Sequence, residues 1–328
     1  MKTVSDVARH AGVSPATVSR VLNGNTKVSV DIRNKVLESA RQLGYRPNSM
    51  AQGLRKGRSN TVALLVGDIA QRHFAELTLH IQSELEAAGM DLLLYNLGHS
   101  PGRLKDFLGR APSMKLRGLM LALSDKLPKD IVSMLASMPD AGVPIVSIGQ
   151  DMTRQRIPSI VHEEKAAAHR AVTYLLQRGH RRIAYIGKIK GSAIGTERFK
   201  GYQAALRAAD AYDQTLVWDL TYRYSAGRDA VLRALDRGLA FTGIQAGSDE
   251  IAMGAMAALH DRGLAVPRDV AVVGFGDIEM GAYLRPALTT LSSHPDVAAR
   301  HVCDFFVGDE PAVELTLMRR ALIERDSV

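Results

Sequence analysis

The chain has 328 residues, 46% hydrophobic and 23% charged, with a formal net charge of +8 and one cysteine, Cys303. That length suits two or three domains rather than one, and the composition is that of a soluble globular protein with large cores. A single cysteine excludes an intrachain disulfide. The start "MKTVSDVARH" has no apolar signal core and no run of 18 apolar residues occurs, so a cytoplasmic protein with no membrane contact is expected.

The positive charge is concentrated. Residues 1–60 hold eleven Lys or Arg against three acids, while the other 268 residues hold 31 of each sign. The whole excess therefore lies on the N-terminal fifth, as expected of a segment that meets a polyanion such as nucleic acid.

The first elements are short helices. Thr3 is placed to cap a helix whose apolar positions are Val4, Val7, Ala8 and Ala11, and Gly12 supplies the positive φ that ends it. Val13 plugs the turn, Ser14 caps the next helix and Pro15 takes its N1 position. Val18, Val21 and Leu22 form an inward stripe there, which leaves Pro15, Ala16, Thr17, Ser19, Arg20 and Asn23 facing outward. Two short helices joined by a three-residue turn make a helix-turn-helix, whose second helix enters a DNA major groove. A third helix is expected in "SVDIRNKVLESARQLGYRP", capped by Ser29, striped by Ile32, Val36, Leu37, Ala40 and Leu43, and ended by Gly44.

"PNSMAQGLRKGRSN", Pro47 to Asn60, is too polar for a core and reads as a linker. From Thr61 onward, apolar strands such as "TVALLVGD", "GLMLAL" and "VPIVSIG" alternate with amphipathic helices such as "FAELTLHIQSELEAAG". The alternation restarts after about residue 162 with "RRIAYIG", "GIQAG" and "DVAVVGFGD". This predicts two α/β units with right-handed crossovers. Ligands of open parallel sheets bind beyond the carboxyl ends of the strands, so two such units define a cleft.

Motifs for catalysis are missing. "GFGDIEMG" does not fit G-x-G-x-x-G, "IGKIKGS" lacks P-loop spacing, and "HEEKAAAH" fails H-E-x-x-H. No G-x-S-x-G occurs, and one cysteine cannot build a thiolate zinc site. No metal or cofactor is expected, and no enzyme. A solute-binding protein of a transport system, or a sugar kinase on an α/β scaffold, remain as alternatives. The basic helix-turn-helix and the missing phosphate loop weigh against them.

"TVSDVARHAGVSPATVSRVLNG", "VSVDIRNKVLESARQLGYRPN" and "AQGLRKGRSNTVALLVGDIAQRHFAEL" are together similar to the LacI/GalR family of bacterial transcription repressors. The resemblance implies an N-terminal all-α helix-turn-helix domain (1–46), a hinge helix (47–60) and an α/β periplasmic-binding-protein-like body. The body would comprise two doubly wound parallel-sheet subdomains, 61–161 with 292–319 and 162–291 with 320–328. It further implies a homodimer on double-stranded operator DNA, controlled by a small-molecule effector. Pro15, Ala16 and Arg20 would face base edges, while Ser14, Thr17, Ser19 and Asn23 hold phosphates. Leu54 would wedge a minor-groove step, with Ala51 beside it and Arg55 on phosphate. For the effector, the resemblance points to His73, Phe74, Ser192, Ile194, Arg198, Tyr222 and the pair Ser248–Asp249.

Three departures from the family pattern bear on the ligand. Gly276 followed by Asp277 replaces the usual aspartate, His162–Glu163 replaces Asp-Asn, and Gln71–Arg72 replaces Asn-Pro. With Arg72, His73, His162 and Arg198 nearby, an anionic sugar acid such as gluconate is expected, with a purine or neutral sugar as the alternative. "GFGD" is similar to gluconate-type members of the family.

Overall fold

The computed structural model describes residues 2–22, 28–45, 59–307 and 314–328. The chain divides into two compact units, Met1–Ser59 and Asn60–Val328.

In the first unit, α1 (Val4–Ala11), α2 (Pro15–Leu22) and α3 (Val30–Gln42) share a core of Val7, Ala8, Ala11, Val18, Val21, Val36 and Ala40. Thr3 and Asp6 cap α1 reciprocally: the Asp6 N–H donates to Thr3 Oγ1 at 3.3 Å, and the Thr3 N–H donates to Asp6 Oδ2 at 2.9 Å. Gly12 takes the left-handed conformation at φ 65° and turns the chain towards α2. The expected stripe of α3 is narrower than its apolar residues suggest. Val36 and Ala40 are buried, but Ile32 and Leu37 are 38% and 48% exposed. Leu37 is one residue from the buried Val36, a rotation of about 100°, while Ile32 has the right spacing but lies in the first turn of α3, and two eight-residue helices are too small to cover so long and wide a face. Ser29 takes the N-cap position of α3 without a capping side-chain bond.

The second unit holds two parallel sheets. The first contains β1 (Thr61–Val66), β2 (Asp91–Asn96), β3 (Gly118–Ala122), β4 (Ile145–Ile148), β5 (Ser159–His162) and β11 (Leu315–Met318) in the order β11-β5-β4-β3-β1-β2. The second contains β6 (Ile183–Gly187), β7 (Val217–Asp219), β8 (Gly243–Ala246) and β9 (Ala271–Val273) in the order β7-β6-β8-β9. A short antiparallel pair joins β10 (Thr290–Leu291) to β12 (Leu322–Ile323). The central strands β1, β3 and β6 are buried along their length except for Thr61 at the start of β1, as parallel strands covered on both faces must be. The chain leaves the first sheet after His162, re-enters that half through α11 (Pro295–Val307) and β11, and departs again after Met318.

Helices cover both sheets. α4 (Arg72–Ala87) and α11 lie on one face of the first, with α5 (Pro101–Arg110) and α6 (Lys129–Ser137) on the other. α7 (Glu164–Gln177) and α8 (Ala193–Ala208) cover one face of the second, with α9 (Tyr224–Asp236) and α10 (Asp249–Asp261) on the other. The order of strands reverses between β1 and β3 and again between β6 and β8, so each sheet has a switch point where its carboxyl-end loops diverge. No helix among the described residues is long and apolar enough to cross a membrane.

The helix pairs on the second sheet meet at glycines. A Cβ on Gly254 of α10 would stand 1.9 Å from the Tyr224 carbonyl, and one on Gly201 of α8 would stand 2.1 Å from that of Lys165. Gly254→Ala is therefore expected to force the α9–α10 pair apart and cost about 1–3 kcal/mol, seen as a lowered thermal midpoint. An unchanged midpoint would contradict the close approach.

Candidate functional site

The loops beyond β1, β5, β6 and β8 converge on a buried cluster of charges. Glu164, the first residue of α7, is 5% exposed and lies between two arginines. Arg198 of α8 donates from Nε to Glu164 Oε2 at 2.8 Å and from Nη1 to the Gly247 carbonyl that follows β8. Arg320, between β11 and β12, donates from Nη2 to Oε1 at 2.7 Å and from Nε to Oε2 at 3.2 Å. Both guanidiniums lie against Phe275, 4.0 and 4.9 Å from the ring centre. Burial pushes the Glu164 carboxyl up, but Arg198 and Arg320 outweigh it and hold the group well below the ordinary carboxylate range.

Two histidines border the cluster. Burial, then the charges of Arg198 and Arg320, push His73 down to about 3. Burial, then Arg320, pushes His162 down to about 4. Both imidazoles are neutral at pH 7, and His162 Nε2 bonds the Ser293 carbonyl at 2.8 Å. These side chains, with Phe74, Ile148 and Ile194, line a floor cavity of about 70 Å³. A wider cleft of about 620 Å³ shares the walls Gly149, His162, Glu164 and Ile194 and adds Lys126, Gln150, Asp151, Thr196, Glu197 and Lys200.

Several bonds join the two halves of this unit around the cleft. Arg223 donates to Asp68 at 2.8 Å, the Arg72 N–H donates to Glu250 at 2.8 Å, and the Ala193 N–H donates to the Ser124 carbonyl at 2.8 Å. Asp125 accepts from Lys188 of the other half and lies 2.6 Å from His99 Nδ1.

Five of the residues expected around the effector meet at this floor: His73, Phe74, His162, Ile194 and Arg198. Six do not line it. Arg72 is exposed and contributes only its backbone to Glu250. Ser192 is fully buried and caps α8, accepting from the Gly195 N–H at 2.9 Å. Tyr222 packs into the apolar layer under α9 and α10. Asp249 is fully buried, binds Thr290 Oγ1 and the Ile278 N–H, and is pushed up to about 6 by that burial. Gly276, at φ 143°, passes close to that carboxylate, and Asp277 pairs with Arg325 at 2.7 Å. Sequence reasoning missed Glu164 and Arg320. The "VHEE" strand end contained the first, but only the return of the chain after β11 brings Arg320 to it.

On the first unit, Ser14, Pro15, Ala16 and Arg20 are exposed along α2, Thr17 and Ser19 are half-buried, and Val18 and Val21 turn inward. Ser14 Oγ accepts from the Thr17 N–H at 3.1 Å, as an N-cap does. Asn23, Ala51, Leu54 and Arg55 lie outside the described residues. No group of His, Cys, Asp and Glu placed to hold a metal ion occurs among the described residues.

Comparison with known proteins agrees with this build. Residues 3–48 match the family "Bacterial regulatory proteins, lacI family", and residues 172–328 match a periplasmic binding protein-like domain. The chain is 33% identical over 295 residues to catabolite control protein A of Priestia megaterium, covering 88% of this chain and 86% of that one. It is similar in structure to the transcriptional regulator CelR in its cellobiose complex, at TM-score 0.73 and 30% identity over all of both chains. The lac repressor dimer bound to operator and the anti-inducer ONPF has the same fold, at TM-score 0.85 and 23% identity, covering 99% and 98% of the two chains.

A helix-turn-helix unit followed by a two-sheet body, in a chain similar over its length to transcriptional regulators, defines a DNA-binding transcriptional regulator. The chain belongs to the LacI family of such bacterial regulators.

The depressed histidines make the body sensitive to acid. A folded-state pKa below the unfolded one stabilises the fold above pH 6.5, and that contribution is lost as pH falls towards 4. His162→Gln, which keeps a donor for Ser293, is expected to remove roughly 1–3 kcal/mol of the loss between pH 7 and 4.5, measured by urea unfolding. An identical pH profile in the variant would contradict a buried neutral imidazole.

Proposed function

We propose that the protein is a cytoplasmic homodimeric repressor whose affinity for a two-fold operator is set by a small carbohydrate-type effector in the cleft. The observation that carries the effector side is the pair of buried arginines facing one carboxylate at the cavity floor, which favours an anion. A sugar acid such as gluconate supplies a carboxylate for the floor and hydroxyls for the polar walls above it. A neutral sugar is the second reading, favoured by the cellobiose bound to the similar regulator CelR.

On the operator, Arg20 reaches guanine O6 and N7 while Pro15 and Ala16 contact base edges. Ser14, Thr17, Ser19 and Asn23 fix register on phosphates, and Leu54, flanked by Ala51 and Arg55, unstacks a minor-groove step. His73, Phe74, His162, Ile194 and Arg198 contact the effector. The functional divisions are 1–46 for DNA, 47–60 for the hinge, and two effector subdomains (61–161 with 292–319, and 162–291 with 320–328). A change in the angle between those subdomains alters how the two hinges of the dimer meet, so effector and operator affinities are linked reciprocally.

Fluorescence anisotropy on operator duplex tests this reading. Log affinity falls steeply with log salt, as phosphate neutralisation requires. Arg20→Ala weakens operator binding by about 1–3 kcal/mol and leaves random-sequence binding nearly unchanged. Arg198→Ala abolishes the effector response; a response of wild-type size would remove Arg198 from the site.

A further inference from the structure

Arg320 carries donors that the protein does not use. Its guanidinium has five N–H bonds in a planar fork. Glu164 takes the edge formed by Nε and Nη2, in two bonds of 3.2 and 2.7 Å. Nη1 is buried and has no hydrogen-bond partner among the described residues, although the residue is only 5% exposed. The second edge, which includes Nη1, is therefore not satisfied by the protein, and Arg320 is a wall of the floor cavity. Two parallel N–H donors at that spacing fit the two oxygens of a carboxylate.

The charge at the floor selects the ligand further. Within ion-pair distance Arg198 and Arg320 share one carboxylate, Glu164, the buried Asp249 acts on Arg320 only from farther off, and Arg170 beside them is already paired with Glu163 at 2.7 Å. The histidines of the floor are neutral at pH 7. Two buried guanidiniums thus share one directly bonded carboxylate in a desolvated place, where an unmet donor is costly. A monoanion gives the second guanidinium a partner of its own at a smaller desolvation cost than a phosphate dianion.

We infer that the second edge of Arg320 docks the single carboxylate of the cleft ligand, with Glu164 as a built-in counter-ion that orients the guanidinium for it. The inference rests on the cleft being the effector site and names the ligand's anchoring group. It also explains how a small ligand reaches the frame of the body. Arg320 lies between β11 of the first sheet and β12, which pairs with β10 beside the second, so the docked carboxylate binds the strap between the halves.

Calorimetric titration of the full-length protein provides the test, with D-gluconate and D-glucuronate as carboxylate probes. D-glucitol and D-glucose are the neutral counterparts, and glucose 6-phosphate is the dianion. In wild type, a carboxylate probe is expected to bind at least tenfold tighter than its neutral counterpart and than the phosphate. Arg320→Gln loses that preference at least tenfold. Glu164→Gln, which removes the carboxylate the two arginines share, moves the preference towards glucose 6-phosphate, and circular dichroism of both variants checks their fold. A neutral sugar that binds as tightly as its acid in wild type overturns the inference without needing any variant. So does a carboxylate preference that survives Arg320→Gln. In either case the cleft stands as an effector site if operator release still follows binding. Operator affinity indifferent to every probe, with none of them bound, brings down the effector reading itself.

Discussion

Glu164 sits between Arg198 and Arg320, and those three residues come from three separate stretches of chain. One opens α7 just after the first sheet, one is on α8 over the second sheet, and one lies on the last passage between β11 and β12. Taking three charges out of water is expensive, and their attraction repays it only when hydrogen-bond geometry is good. Here both carboxylate oxygens are bonded, Arg198 also reaches the Gly247 carbonyl, and the Phe275 ring supports both cations. Removing one partner of such a group typically costs 3–5 kcal/mol. The triad therefore fixes where the floor of the cleft lies and how the two halves are strapped together.

The rest of the cleft follows from that anchor. The desolvation that isolates the triad also keeps His73 and His162 neutral, so the floor offers guanidinium donors rather than a diffuse cationic surface. Around the rim, Asp68 with Arg223 and Asp125 with Lys188 join the halves with partly buried pairs that are more solvated than the triad. A strong, buried centre with weaker peripheral links is an arrangement in which a ligand at the centre has the most leverage on the angle between the halves.

Much of this was legible in the residues. Continuous apolar runs located β1, β3, β4, β6, β8 and β9, and amphipathic spacing located α4, because buried parallel strands are runs of Val, Leu and Ile; the short strands β5, β7 and β11 lacked so clear a run. The helix-turn-helix was legible from Thr3, Gly12, Ser14 and Pro15, whose roles are local and set by backbone geometry. The stripe of α3 was overdrawn because apolar character does not tell how much partner surface is available: Ile32 has the spacing but sits at the helix start, and Leu37 turns away from the buried Val36. At the cleft, Arg198 and His73 were found by resemblance, yet Ser192 serves the helix as its cap and Asp249 bonds Thr290 and the Ile278 N–H. Glu164 and Arg320 were missed because their contact spans 156 positions of sequence. No local pattern encodes that pairing; only the topology of the last strands creates it.

The central claim is that occupancy of the cleft and occupancy of the operator are one coupled equilibrium. The most direct measurement is the dissociation constant of D-gluconate for the full-length protein, alone and again with saturating operator duplex. The account predicts that operator changes this constant, by the same factor and in the same direction as the ligand changes operator affinity. Two equal constants, with the ligand bound in both states, would contradict it.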